Sequence, residues 1–266
     1  MTEEPPGVDL ARLADWFPAQ VPGAGAPTAA RLIAGGKSNL TYEIDDGRHV
    51  WILRRPPLGH VLATAHDMAR EYRVMSALRD TSVPVPQTYA LCSDTELLGA
   101  PFYVMAKAPG TTYRSAQELA ALGESSVRAM SATLVETLAD LHAVEPVAVG
   151  LADFGRPAGF LARQVSRWKK QLDASHSREL PGAEELYARL SGAVPEQSAP
   201  GIVHGDYRMD NVLFAGTTLT AVLDWEMATL GDPITDLALL VLYQRLHDLP
   251  GGGAISDVAA APGFLS

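Results

Sequence analysis

The sequence has little cysteine, fewer basic than acidic residues and no long apolar run. Its one cysteine, Cys92, excludes an internal disulfide framework and fits a reducing cytoplasm. The 31 acidic and 21 basic residues give a formal net charge of −10, which argues against non-specific nucleic-acid binding and gives no support to an anionic membrane surface as partner. The longest apolar run, residues 237–243, is too short to cross a bilayer.

Residues 1–10 are acidic and rich in proline, and they lack the basic and apolar segments of a signal peptide. A length of 266 residues is enough for one large domain or for two lobes with separate cores. A content of 47% apolar and 20% charged residues is ordinary for a globular protein. We therefore expect a soluble, cytoplasmic protein.

The N-terminal part has the patterns of an antiparallel sheet interrupted by one helix. Apolar residues spaced three and four apart predict helices at residues 9–17 and 67–79. Apolar runs separated by Gly, Pro and Asp predict strands at residues 29–36, 39–45, 49–56, 87–93 and 101–108.

Helical spacing dominates the rest of the chain. It predicts helices at residues 116–122, 124–143, 159–174, 182–193 and 234–247. Short strand-like pieces lie at residues 201–205, 211–215 and 219–225. The predicted class is therefore α+β with two lobes: residues 1–106 form a β-rich N-terminal lobe, and residues 107–266 form a mainly helical C-terminal lobe with a small hairpin.

Residues 202–211, IVHGDYRMDN, place a histidine, two aspartates, an arginine and an asparagine directly after two β-branched residues. A polar turn between strands would by itself explain this stretch. However, a second apolar strand follows Asn211 and delivers Asp224 to a turn. A carboxylate and an amide at two strand ends suit Mg²⁺, a hard cation that takes oxygen ligands together with substrate phosphates and water.

The pattern H-G-D-x-x-x-x-N followed by an apolar-Asp pair resembles the catalytic loop and the metal-binding aspartate of protein kinases. The glycine after the histidine and the sequence Asp-Trp-Glu are more similar to the aminoglycoside phosphotransferase (APH) and choline kinase-like superfamily. Residues 53–78, 99–105 and 202–240 resemble the APH-like domain that is fused to acyl-CoA dehydrogenases of the ten and eleven types, and its bacterial stand-alone relatives. The resemblance covers roughly residues 28–245.

The resemblance implies a bilobal protein-kinase-like fold and the ATP- and Mg²⁺-dependent transfer of a γ-phosphoryl group to a hydroxyl of a small molecule. Asp206 matches the catalytic aspartate that orients and deprotonates the acceptor hydroxyl, and Asn211 and Asp224 match the Mg²⁺ ligands. Arg208 either reaches the transferred phosphate or is an exposed loop arginine.

The N-terminal lobe would hold the nucleotide. The glycine-containing segment between the first two strands lacks the full G-x-G-x-x-G pattern, so a simple hairpin explains it nearly as well. The backbone amides of Gly36, Ser38 and Asn39 are the candidates for phosphate contact. The strand at residues 101–108 matches the kinase hinge, where Met105 and Lys107 would flank the adenine.

A basic residue for the α- and β-phosphates is expected on the third strand. Arg54 matches that position, or Arg55 if the register slips by one, in place of the commoner lysine. Glu71 on the following helix is placed to form an ion pair with it, and a surface glutamate with Arg73 two positions further on is the alternative.

Other polar residues are expected to support the loop rather than to react. His204 is predicted to brace it, Asp232 and Asp236 to cap a helix start and support the loop, and His142 to be a core or helix-end histidine. His60 and His66 flank a strand-to-helix turn and are weaker candidates for touching a ligand phosphate.

Three functions remain open from the sequence. The resemblance suggests a hydroxyacyl-CoA or a related acyl compound as acceptor, and an aminoglycoside or macrolide antibiotic is the alternative. A nucleotide-binding pseudokinase belongs to another class, which the presence of Asp206, Asn211 and Asp224 disfavours. The apolar run at residues 237–243 needs a cover, so we expect either further helices in a longer enzyme or self-association.

Overall fold

The computed structural model describes residues 4–33, 39–59, 67–175, 178 and 180–265. Within them, the N-terminal half is a five-stranded antiparallel sheet in the order β1-β2-β3-β5-β4. The strands are β1 (Ala29–Leu32), β2 (Leu40–Asp45), β3 (Val50–Arg55), β4 (Thr88–Cys92) and β5 (Phe102–Ala106).

Helices cover both faces of this sheet. Helix α1 (Leu10–Gln20) belongs with one buried cluster, in which Phe17 packs near Trp51. Helix α2 (Met68–Leu78) belongs with the other, which contains Ile52 of β3. Successive residues of a strand point to opposite faces, so β3 contributes to both clusters. A short helix, α3 (Thr95–Leu98), links β4 to β5.

The C-terminal half is mainly helical and includes two small antiparallel strand pairs. Helix α5 (Glu124–Ala143) is central, because its buried stripe packs in a cluster shared with both strand pairs and with α2. Strand β6 (Gly201–Val203) pairs with β9 (Thr229–Gly231), and β7 (Val212–Ala215) pairs with β8 (Thr218–Val222). The helices are α4 (Ala116–Ala120), α5 (Glu124–Ala143), α6 (Phe160–Ser175), α7 (Ala183–Gly192) and α8 (Ile234–Arg245).

The predicted α+β class is confirmed, and the helix predicted at residues 124–143 has the bounds of α5. Other boundaries were wrong. Helix α1 continues through Pro18 to Gln20, because burial of its apolar face outweighs one missing backbone donor. The strand predicted at residues 219–225 ends at Val222, because the backbone turns into the left-handed region at Asp224. Strand β9 and helix α3 were not predicted.

Helix α8 presents apolar side chains to solvent, as the run at residues 237–243 suggested. Ile234, Leu237, Val241 and Leu242 are all exposed, whereas Leu240 is buried. Among the described residues, no helix is both long enough and apolar enough to cross a membrane.

Candidate active site

The loop after β6 is held by a buried carboxylate from α8. Asp236 accepts hydrogen bonds from the backbone N–H groups of His204 and Gly205, each at 2.8 Å. His142 Nε2 lies 3.1 Å from the same carboxylate. Asp236 therefore supports the loop as predicted, but it does not cap α8. Of Asp232 and Asp236, only Asp232 caps the helix start: it accepts a hydrogen bond from the N–H of Ile234 at 3.1 Å.

Glycine is required immediately before the aspartate of this loop. Gly205 has φ +88°, in the left-handed region that favours glycine. A Cβ atom there would lie 2.8 Å from Cβ of Met227 and 2.9 Å from its backbone oxygen. Both the conformation and the close approach of the segment after β8 thus explain the H-G-D sequence.

His204 braces the loop from the core. Its ring is fully buried, with Nε2 2.9 Å from the carbonyl oxygen of Leu223, and Nδ1 accepts from the N–H of Asp206 at 3.2 Å. Burial lowers the pKa of His204, so the ring is neutral at pH 7. With Nδ1 as an acceptor, Nε2 carries the proton and donates to the carbonyl. This is the geometry of a brace, not of a base.

Both oxygens of the Asp206 carboxylate have hydrogen-bond donors. Asn211 Nδ2 donates to Oδ2 at 2.9 Å, and the hydroxyl of Tyr243 donates to Oδ1 at 3.0 Å. Arg208 Nε lies 3.5 Å from Oδ1, and the guanidinium stacks over the Tyr243 ring with Cζ 5.0 Å from its centroid. Arg208 is thus half-buried beside the carboxylate and is not a freely exposed loop residue. The carboxylate itself is partly open to solvent.

Asn211 and Asp224 lie at the same end of the β7–β8 hairpin. Val212 pairs with Val222, and the N–H of Leu223 donates to the carbonyl of Asn211 at 2.8 Å. Asp224 has φ 64° and ψ 60° and is the one non-glycine residue with positive φ in the described chain. Such a conformation costs about 1–3 kcal/mol and is typical of functional sites.

The donor chemistry of these two residues fits Mg²⁺. An amide oxygen and a carboxylate are hard ligands, and Mg²⁺ commonly takes one or two protein ligands with phosphates and water as the rest. The described residues contain no cluster of three or more His, Cys, Asp or Glu side chains suited to a metal. Asn211 and Asp224 would thus supply two ligands of the ion, and the phosphates of a bound nucleotide with water would supply the others.

Arg54, not Arg55, faces the boundary between the N-terminal sheet and the C-terminal half, which we call the cleft. Arg54 Nε lies 3.0 Å from Oε2 of Glu71, and its Nη2 contacts Oδ1 of Asp224. Arg55 points to the other face of the sheet, where Nη1 donates to the carbonyls of Gly7 and Leu98. The side chain of Arg54 thus links the N-terminal sheet, α2 and the segment after β8.

Glu71 is almost completely buried beneath this arginine. Its Oε1 accepts from Asn39 Nδ2 at 2.7 Å, and its Oε2 accepts from the hydroxyl of Tyr103 at 2.9 Å. Burial raises the pKa of Glu71 to about 7, against the lowering effect of the Arg54 charge and of the Tyr103 hydrogen bond. Asn39 Nδ2 also donates to Glu226 Oε2 at 3.1 Å, so its side chain joins the two halves of the molecule.

The structure gives less information on the other residues that were expected to bind nucleotide. Gly36 and Ser38 lie outside the described residues, as do His60 and His66. Met105 is buried on β5 in the same cluster as Ile52. The side chain of Lys107 is engaged by Glu43, with 2.7 Å between Nζ and Oε1, which leaves its backbone for any contact with a ligand.

Three residues of this site escaped the sequence reasoning: Tyr103, Glu226 and Tyr243. Glu226 follows Asp224 by two positions, and that proximity was an available signal. Tyr103 and Tyr243 are remote in sequence from their carboxylate partners, by 32 and 37 positions. No local pattern identifies such contacts.

A family model and curated relatives match most of this chain. The model of the phosphotransferase enzyme family, APH, matches residues 29–262. Acyl-CoA dehydrogenase family member 11 of Gallus gallus is 38% identical over 232 residues, which are 86% of this chain and 29% of that protein. Family member 10 of Mus musculus is 38% identical over 213 residues, or 79% of this chain and 20% of that protein. The chain thus spans less than a third of the length of these relatives.

Solved structures have the same fold. A protein of Ralstonia eutropha, named as a candidate aminoglycoside phosphotransferase, superposes with a TM-score of 0.82 at 32% identity and covers 97% of this chain and 77% of that one. The streptomycin–ATP complex of APH(2")-IIa superposes with a TM-score of 0.62 at 19% identity, covers 86% of this chain and 74% of that one, and shows likeness of fold alone. With the family model matching most of its length, this chain belongs to the phosphotransferase enzyme family and has its kinase-like fold.

Proposed function

We propose that this protein is an ATP- and Mg²⁺-dependent phosphotransferase of the cytoplasm that phosphorylates a hydroxyl of a small molecule. The observation that carries the proposal is the convergence of Asp206, Asn211 and Asp224 from the C-terminal half with Arg54 from the N-terminal sheet. The single, buried Cys92 supports a reducing compartment.

The roles follow from the chemistry of each side chain. Asp206 accepts the proton of the acceptor hydroxyl while the acceptor oxygen bonds to the γ-phosphorus and the bond from that phosphorus to ADP breaks. Asn211 orients Asp206 through Nδ2, and its amide oxygen with the carboxylate of Asp224 would hold Mg²⁺, which neutralises phosphate charge. Arg54 would turn from Asp224 towards the phosphates, where its planar guanidinium binds oxygen pairs. Arg208 stands beside Asp206, within reach of the transferred group.

For the acceptor, we favour a hydroxyacyl-CoA or a related acyl compound. Two relatives at 38% identity are named as acyl-CoA dehydrogenase family members, whereas a structure named for aminoglycosides shares 32%. An aminoglycoside or macrolide is the alternative acceptor. A pseudokinase is disfavoured because the proton acceptor and both metal-ligand candidates are present in one cleft.

The experiment measures ATP consumption and product mass with hydroxyacyl-CoAs, amino sugars and aminoglycosides. We expect a phosphorylated product from a hydroxyacyl-CoA, dependent on Mg²⁺ and lost in Asp206→Asn. Phosphorylation of an aminoglycoside alone would correct the acceptor class. MgATP binding without transfer to any acceptor, and with no effect of Asp206→Asn, would favour the pseudokinase.

A further inference from the structure

The hydroxyl of Tyr243 takes the place at Asp206 that a reacting hydroxyl needs. Asn211 Nδ2 donates to Oδ2 of Asp206, and Arg208 Nε lies 3.5 Å from Oδ1, so both oxygens of this carboxylate already have neighbouring donors. The Tyr243 hydroxyl donates to Oδ1 at 3.0 Å. A water molecule or an acceptor hydroxyl that approaches Oδ1 meets an oxygen whose negative charge is already partly neutralised by this hydrogen bond.

Tyr243 is held firmly in this position. It lies on α8, the helix whose first turn contains Asp236, the carboxylate that anchors the catalytic loop. Its ring lies under the guanidinium of Arg208. Burial and the neighbouring Asp206 charge raise the pKa of Tyr243, so its hydroxyl keeps the proton that it donates.

We propose that Tyr243 suppresses the hydrolysis of ATP when no acceptor is present. By donating to Oδ1 of Asp206, it prevents Asp206 from activating water while MgATP is bound. In the suppressed reaction, a water oxygen would bond to the γ-phosphorus, its proton would pass to Asp206, and the bond from phosphorus to ADP would break. The inference rests on the proposed function. Tyr243 is a positioning residue, because it acts through Asp206.

A larger acceptor gains binding free energy from its other contacts, which water lacks, and this free energy brings its hydroxyl to Asp206 despite the hydrogen bond from Tyr243. A hydrogen bond to a charged group contributes about 1.5 kcal/mol or more, equivalent to a factor of about 10 in occupancy. We therefore expect loss of the Tyr243 hydroxyl to raise acceptor-independent hydrolysis of ATP about 10-fold.

The test uses the whole chain and MgATP alone, so the acceptor need not be known. Tyr243→Phe removes the hydroxyl but keeps the ring under Arg208. Tyr89→Phe is the matched control, because Tyr89 lies on the edge strand β4 and its hydroxyl bonds to Gln87, just before that strand. Phosphate release, MgATP affinity and the melting temperature are measured for both variants, for the parent and for the double variant Asp206→Asn/Tyr243→Phe.

The inference predicts about 10-fold faster phosphate release in Tyr243→Phe with MgATP affinity unchanged, no change in Tyr89→Phe, and loss of the gain in the double variant. Unchanged phosphate release in Tyr243→Phe overturns the proposal. Faster phosphate release that persists in the double variant, without the Asp206 carboxylate, also overturns it. A variant that loses MgATP affinity or stability assigns Tyr243 a structural role and equally overturns it. If the parent does not bind MgATP, the proposed function itself fails, and that outcome is distinct from the others.

Discussion

Replacing Glu71 with glutamine should change how the stability of the protein depends on pH. Glu71 is buried with Arg54, Tyr103 and Asn39 as hydrogen-bonding or ionic partners. Its pKa is raised from 4.5 to about 7, with burial as the main cause. The folded state therefore binds a proton at Glu71 between pH 4.5 and 7, where the unfolded state does not.

The sign and size of the effect follow from this difference. Because the folded state holds the extra proton, the contribution of Glu71 to stability is fully present below pH 4.5 and is lost as pH rises to about 7. A difference of this size between the two pKa values corresponds to about 3 kcal/mol. Through Glu71, the unfolding free energy of the parent should fall by about 2–3 kcal/mol between pH 5 and pH 8. Glu71→Gln should abolish this fall, since glutamine does not titrate.

The assay is urea unfolding of the parent and of Glu71→Gln at several values between pH 5 and pH 8. The quantity of interest is the difference between the two unfolding free energies. Burial lowers the pKa of His204, which has the opposite effect in part of this range, but His204 is common to both proteins and cancels. A difference that stays flat from pH 5 to pH 8 would refute the reasoning, because Glu71 would then be anionic throughout and governed by Arg54.

Three further predictions concern the same cleft. Arg54→Met should weaken MgATP binding about 10-fold or more, whereas Arg55→Met, on the opposite face of β3, should lower stability and leave affinity unchanged; calorimetry measures both, and equal losses of affinity would contradict the assignment. Asp224→Ala should abolish the Mg²⁺ dependence of ATP binding while the protein stays folded, and MgATP binding equal to that of the parent would refute the metal assignment. Asp236→Ala leaves the buried N–H of His204 and the partly buried N–H of Gly205 without their acceptor, so the unfolding free energy should fall by about 2 kcal/mol and the melting temperature by about 4–8 °C. An unchanged melting temperature would contradict the anchoring role.

The parts of the fold that the sequence predicted are those with strong local signals. Helix α5 has an uninterrupted apolar stripe over residues 124–143, and its bounds follow from it. Strand β8 ended early because Asp224 adopts a left-handed conformation, which no apolar pattern announces. Strand β9 is only three residues long, too short for its alternation to be read.

The residues of the candidate site likewise fall into two groups: those that local sequence predicts and those that depend on tertiary packing. Asp206, Asn211 and Asp224 follow strand-like segments, so their chemistry was readable along the chain. The choice between Arg54 and Arg55 was not, because alternation leaves both neighbours possible until the packing of α1 and α2 assigns the faces of β3. Tyr243 reaches Asp206 only because Asp236 fixes α8 against the loop, which is a tertiary contact.

The most direct test of the central claim is a single-turnover measurement of γ-phosphoryl transfer in Asp206→Asn, with the acceptor identified by the product screen. We expect MgATP affinity like that of the parent and transfer slowed by roughly 10²–10⁴-fold, the usual effect of losing a positioned acid–base group. Asp210→Asn, on the same loop, is measured beside it. An unchanged transfer rate in Asp206→Asn together with slowed transfer in Asp210→Asn would contradict this assignment. The proton acceptor would then be Asp210.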